Sequence, residues 1–344
     1  LFKLPRSTWD DYDKSLISQG GGVFSRQDKA ITITDEMKAA FGIEADTLTP
    51  DELIHALLVA PVDLIWNGGI GTYVKSDAET NLEVGDRAND AVRINGHEVR
   101  AKVIGEGGNL GMTQRGRIEY AQNGGRVYTD AIDNSAGVNC SDHEVNIKIL
   151  LGNIVAQGDM TLKQRNELLA SMTDSVAQLV LRQNYLQPQA IELSAKQGTE
   201  QLALQQKFMQ FLEQQERLDR AIEFLPNDEQ IIHRQKSGDS LTNPELAVVM
   251  AYGKMWVYDN LLASDVPDDS YFTQELRAYF PDTLSEQYFA QMAAHPLHRE
   301  IISTYLTNSL VNRLGIETVY QLVEELDVSI ATIVRAYSVV RDVF

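Results

Sequence analysis

Glycine placement constrains this chain more than any other feature. Of its 23 glycines, 17 lie at or before Gly137. Glycine supplies the positive-φ and close-approach positions of tight turns and costs stability inside helices. The first part is therefore turn-rich, and the remainder is free to run in long helices. We place the boundary near residues 145 to 160, giving domains 1–150 and 151–344. In the first, three short apolar runs stand out: Val62-Asp-Leu-Ile-Trp66, Lys102-Val-Ile104 and Arg126-Val-Tyr128. Each ends in a glycine or small-polar loop: Asn67-Gly-Gly-Ile-Gly71, Gly105-Glu-Gly-Gly-Asn-Leu-Gly111 and Asp130 to Ser141. Strand, loop, helix, repeated, predicts a parallel α/β sheet whose loops share the carboxyl edge, where α/β folds hold ligands. Val62–Trp66 reads as a buried strand. A helix from Pro50 to Ala60 precedes it, with Thr49 as N-cap and Glu52 closing a capping box. Val23-Phe24 or Ile31-Thr-Ile33 adds one more strand. The fold class is α/β followed by an all-α part.

The second part carries helical signals throughout. Thr161-Leu-Lys-Gln164 opens a long helix expected to reach about Tyr185. A Gln-rich helix covers Thr199 to Leu218, with apolar residues at helical spacing. Thr242-Asn-Pro-Glu245 is another capping box, Thr283 to Glu286 caps a further helix, and Val319, Leu322, Val323 and Leu326 close the pattern of a late one. No fixed-period repeat is present.

The formal charge of −19 argues against nucleic acid, whose phosphates require a basic stripe, and against an anionic membrane surface. No apolar stretch approaches 18 residues, so no transmembrane span is expected. The single cysteine, Cys140, allows no internal disulfide and fits a reducing, cytoplasmic setting. The chain begins at Leu1 rather than Met, which reads as a piece of a longer protein.

The loop Asp130-Ala-Ile-Asp-Asn134-Ser-Ala-Gly137-Val138-Asn-Cys140-Ser141-Asp-His-Glu144 has the character of a ligand site. Ser141 to Glu144 reads as a capping box, and the N–H groups of a helix starting there could bind a carboxylate. Capping and ligand contact compete for the one Ser141 hydroxyl. No Walker A is present, nor an intact Gly-x-Gly-x-x-Gly: after Gly105 and Gly107, Leu110 stands where the third glycine belongs. His143 between Asp142 and Glu144 is a poor metal triad, and His295 with His298 reads as a surface pair, so no metal site is expected.

Taken together and in order, the three loops resemble the cofactor domain of glutamate dehydrogenases and related amino-acid dehydrogenases. That family ends one strand in Asp-x-x-x-Pro-Ala-Ala, a second in Glu-Gly-Ala-Asn and a third in Pro-Asp-x-x-x-Asn-Ala-Gly-Gly-Val-x-x-Ser. Here the counterparts are Asp63 to Gly69 with Pro-Ala-Ala lost, Glu106-Gly-Gly-Asn109, and Asp130 to Ser141. Leu4 to Asp13, Trp66 to Lys75, Leu241 to Ala247 and the final run from His295–Ile302 to Arg335–Tyr337 are closer still to the large NAD-specific glutamate dehydrogenases of bacteria. The resemblance implies a Rossmann-like sheet, incomplete here, followed by a helical domain. It implies oxidative deamination of L-glutamate to 2-oxoglutarate and ammonia with NAD as hydride acceptor, in a homo-oligomeric enzyme. By position, Asn67, Gly68, Asn109, Asn134 and Gly137 would bind the cofactor, and Val138 and Ser141 the substrate. The phosphate-binding glycine turn, the catalytic lysines and the proton-shuttling Asp have no counterpart in this chain, so it carries no catalytic residue and is expected to be inactive alone. A different reading makes it chiefly a helical assembly or regulatory module of a larger enzyme.

Overall fold

The computed structural model describes residue 4 and residues 6–343. Pro5, within the first resembling stretch, lies outside the described residues. The chain divides into two compact units, Leu1–Asp130 and Ala131–Phe344.

In unit 1 the strands are short. β1 (Ile31–Thr32) pairs antiparallel with β2 (Thr47–Leu48), and α1 (Asp35–Phe41) connects them. The Ile31 to Ile33 strand therefore belongs to a small hairpin-like pair, not to the parallel sheet expected from the sequence. Thr49 caps α2 (Pro50–Leu58) through the reciprocal bonds with Glu52 anticipated from the sequence. β3 (Leu64–Asn67) follows, then β4 (Val74–Lys75), α3 (Asn81–Val84), β5 (Ile94–Asn95), β6 (Val103–Glu106) and α4 (Gln114–Gln122). β3 pairs in parallel with β6, and β4 with β5. Single parallel bridges extend both pairs, Val103 to Arg126 and Val74 to Met112. The expected third strand at Arg126–Tyr128 is thus reduced to one bridging residue. Val127 is buried, and the chain turns into helix by Asp130.

β3 is not the buried strand predicted. Leu64 is 54 % and Trp66 60 % exposed. Period-2 alternation puts these two on one face and Ile65 on the core face. The Trp66 ring lies across the β6 backbone, where a Cβ on Gly105 would come within 2.7 Å of it and one on Gly107 within 2.4 Å. The glycines at these positions leave the room this ring occupies. The core beneath is Val74, Ile94, Ile104, Met112, Tyr120 and Val127, with a second cluster of Ile31, Ile33, Met37, Ile43 and Leu53 under the hairpin.

α5 (Asp130–Asp133) spans the division, and unit 2 is helical: α6 (Ser135–Gln157), α7 (Leu162–Ser171), α8 (Thr173–Gln197), α9 (Thr199–Gln214), α10 (Asp228–Ser237) and α11 (Asn243–Leu262). Then come α12 (Gln274–Tyr279), α13 (Asp282–Gln287), α14 (Phe289–Ala293), α15 (His298–Leu314), α16 (Ile316–Leu326) and α17 (Ile330–Val343). The units divide earlier than the 150/151 boundary read from glycine content. The apolar stripe of α6 (Ile147, Leu150, Leu151, Ile154) is buried within the helical unit, where α6 packs on α8. The helix predicted from Thr161 to Tyr185 is two helices, broken at the buried Met172. The capping boxes at Thr161/Gln164 and Thr242/Glu245 are present, whereas Thr283 lies inside α13, whose N-cap is Pro281. An aromatic cluster of Phe208, Phe211, Trp256 and Tyr320 joins α9, α11 and α16. No helix among the described residues is long and apolar enough to cross a membrane.

Candidate functional site

Unit 1 gathers two of the three loops at the carboxyl ends of β3 and β6. The parallel register sets Asn67 beside Glu106, so both strands stop at the same level. Gly108 N–H donates to the Asn67 carbonyl at 3.0 Å. The two turns are in such contact that a Cβ on Gly108 would fall 2.0 Å from the Gly69 carbonyl oxygen, and one on Gly111 1.9 Å from Asn67 Nδ2. Only glycine permits these approaches. Asn67 and Gly68 are therefore brought against the loop that carries Asn109, and Gly68 and Asn109 are exposed.

That loop is held from several sides. Thr72 Oγ1 donates to the Leu110 carbonyl (2.7 Å), and Leu110 N–H donates to Asp130 Oδ2 (2.8 Å). Leu110 itself sits at φ +57°, a conformation that side chains rarely adopt. This is the position where the sequence lacks the third glycine of the fingerprint, and a left-handed residue is what the loop demands there.

Beneath the loop lies a buried charge cluster that the sequence reading missed. Glu106, 0 % exposed, accepts from Arg117 Nε (2.7 Å), Arg117 Nη2 (2.9 Å) and Met112 N–H (3.0 Å). Arg117 also reaches Asp130 at 3.3 Å. One guanidinium from α4 thereby ties the acid that ends β6 to the acid that opens the third motif. A bidentate arginine suits this bridging better than lysine would. The signal was present: Thr113, Gly116, Arg117 and Tyr120 share one face of α4 at helical spacing, and that face is buried. At the other end of β3, the Lys102 ammonium 2.7 Å away holds the Asp63 carboxyl below its usual range.

The third loop, in unit 2, is helical rather than extended. α6 begins at Ser135 with Asn134 as N-cap. Ser141 is therefore not an N-cap. It lies within the helix, and its Oγ donates back to the Gly137 carbonyl at 3.2 Å. The expected carboxylate site on N–H groups of a helix starting at Ser141 does not exist, because those groups lie inside the α6 ladder. Asn134, Gly137, Val138 and Ser141 instead share one face of the first two turns. Gly137, Val138 and Ser141 are exposed, Val138 to 69 %. Cys140 is exposed as well.

Neither histidine reading from the sequence describes the structure fully. His295 is 1 % exposed, not on the surface: its Nε2 bonds the Asn146 carbonyl (3.1 Å), and its Nδ1 accepts from Leu297 N–H (3.0 Å). His143 is buried against the Tyr279 ring, and burial lowers its pKa. No group of three metal-ligating side chains occurs among the described residues.

A family model described as bacterial NAD-glutamate dehydrogenase, catalytic domain, matches residues 1–194, and one described as glutamate dehydrogenase, C-terminal, matches residues 238–344. The NAD-specific glutamate dehydrogenase of Pseudomonas aeruginosa is 55 % identical over 344 residues, covering 100 % of this chain and 21 % of that protein. The enzyme of the same name from Halomonas elongata is 52 % identical over the same length, again covering 21 % of that protein. That of Mycobacterium tuberculosis is 46 % identical over 343 residues, 98 % of this chain and 21 % of its own length. The chain spans about a fifth of the length of these curated relatives.

Proposed function

The chain belongs to the bacterial NAD-glutamate dehydrogenase family, and from that premise we propose that it is part of an enzyme that oxidatively deaminates L-glutamate to 2-oxoglutarate and ammonia with NAD. The observation that carries this reading is the match along the entire chain to relatives of that name. In support, two loops at a parallel carboxyl edge carry the expected neutral amides. We read the strand-bearing unit as the later part of a Rossmann-like domain and the helical unit as a C-terminal domain, divided at Asp130/Ala131 rather than at residue 150. The row of β3, β6 and Arg126 supports that reading. So does the outer edge of β3, which among the described residues has no strand partner. A cytoplasmic homo-oligomer is the corresponding reading for the whole enzyme.

The residues present fit a nicotinamide dinucleotide. The turn at Gly107–Gly108 meets Trp66 and the Gly69 carbonyl as bare backbone, where a side chain on either glycine would collide. NAD, when bound, supplies the hydride acceptor. Asn67, Gly68 and Asn109 are assigned to it on this reading. Asn134 and Gly137 are too, since an amide side chain can donate to and accept from a carboxamide without adding charge. Ser141 offers a hydroxyl to the distal carboxylate of glutamate, beside Val138. The residues assigned here position ligands, the protein's main share of hydride-transfer chemistry. In the full-length enzyme, Ser141→Ala should raise KM for glutamate about tenfold or more while changing KM for NAD less, because a hydrogen bond to a charged group contributes about 1.5–3 kcal/mol. An unchanged glutamate KM would remove Ser141 from the substrate site.

A further inference from the structure

Helix α6 turns a second face into a pocket. At 100° per residue, Asn139, Asp142 and His143 lie round the helix from Gly137, Val138 and Ser141. With Arg182, Tyr279 and Arg313 they line a pocket of about 80 Å³ inside unit 2. The charge there is unusual for a chain with 49 acidic and 30 basic residues. Elsewhere in the unit, arginines are matched to buried acids: Arg234 to Glu245 at 2.8 Å and Arg341 to Glu275 at 2.7 Å. Among the described residues Arg182 has no ion pair, and the hydrogen bonds of Arg313 end on the neutral oxygens of Ser309 and Tyr337.

Behind the pocket, Lys254 Nζ donates to Gln187 Oε1 (3.1 Å) and Asn308 Oδ1 (2.9 Å), with no carboxylate partner among the described residues. The ammonium fixes the Asn308 amide with its oxygen inward, leaving the –NH2 group as a donor, and Asn308 lines the pocket. Burial pushes the Lys254 ammonium down to about 7, so an anion nearby would relieve a real cost. His143 is 7 % exposed, and among the described residues its Nδ1 has no hydrogen-bond partner. Opposing charge comes from Asp142, which already accepts from Tyr279 Oη (2.7 Å) and Asn146 Nδ2 (3.2 Å).

We propose that this pocket binds a small carboxylate, clasped by the Arg182 and Arg313 guanidiniums with the Asn308 amide as a further donor. Guanidiniums match the planar, two-oxygen geometry of a carboxylate, and both Arg182 and Arg313 line the pocket. The site lies on the face of α6 away from Ser141 and does not depend on the dehydrogenase reading.

Isothermal calorimetry of the 344-residue chain with acetate, glutarate and inorganic phosphate tests the assignment. Acetate and glutarate should bind. Arg182→Gln and Arg313→Gln should each weaken them at least about tenfold, the loss of a charge-assisted bond. Arg165→Gln, an arginine of α7 outside the pocket lining, should leave affinity unchanged. Both pocket arginines are exposed, so the variants should fold, and their helical circular dichroism should match the parent. Phosphate binding without carboxylate binding overturns the proposal, as does the absence of carboxylate binding up to about 20 mM. Glutarate binding that is lost in Ser141→Ala but kept in Arg182→Gln overturns it too, since the anion would then sit on the other face.

Discussion

Replacing Arg117 by Met removes the guanidinium that bridges Glu106 and Asp130. Methionine follows much of the same path through the core, so the change is chiefly electrostatic. Glu106 would lose both bonds from the guanidinium and keep that from Met112 N–H, while its side chain stays fully buried. Removing one partner of a buried pair typically costs about 3–5 kcal/mol, because the other charge is left uncompensated. At about 1.4 kcal/mol per decade, local opening of unit 1 should become roughly two to three and a half decades more frequent. Hydrogen exchange read by mass spectrometry is the suitable assay, because it reports the β6 and α4 peptides separately from unit 2. Protection in Val103–Glu106 and Gln114–Gln122 should fall steeply, while α11 and α15 keep theirs. The double variant Glu106→Gln, Arg117→Met should recover much of the loss, since it leaves no buried charge. A fall of under one decade in Arg117→Met refutes the reasoning. A double variant as unprotected as the two single changes summed refutes it as well.

Leu110→Gly should raise thermal stability by about 1 kcal/mol. It relieves a left-handed side chain that is 62 % exposed and contributes little burial, and a lowered melting temperature would contradict the strain. Gly253→Ala should destabilise unit 2 by about 1–3 kcal/mol, because the new Cβ would come 2.2 Å from Ile316 where α11 meets α16. Denaturant titration would show an unchanged midpoint if that contact were loose. Lys254 gives a pH signature. Its pKa falls from 10.5 to about 7 on folding, so the unfolded chain binds more protons between these values and the folded state gains stability as pH rises through that window. Below about pH 7 the burial cost is present in full. Lys254→Met should therefore compare more favourably with the parent at pH 7 than at pH 10, and a pH-independent difference would mean the ammonium is well solvated.

The two loops at the ends of β3 and β6 were legible because they are made of residue types with few conformational alternatives, glycine at close approaches and amides at strand ends; the third was not, since Asp130 to Ser141 is helical. Arg117 was harder to see. Its role depends on Glu106 and Asp130, which lie 11 and 13 positions away and meet it only when β6 and α4 pack. Ser141 misled through local logic: Ser-x-x-Glu is a sound capping box, yet the helix had already begun at Ser135. Local capping propensity does not decide between two acceptable starts in one helical stretch.

By itself the sequence determined the family, the change from turn-rich to helical structure, and the capped starts of α2, α7 and α11. These depend on residues a few positions apart, or on motif order along the chain. Tertiary structure alone decided that β3 carries an exposed Trp66 lying over two glycines, that one guanidinium binds two motif acids, and that cations converge behind α6. Those features join residues distant in sequence, and desolvation and close packing set their energies only once the chain has folded.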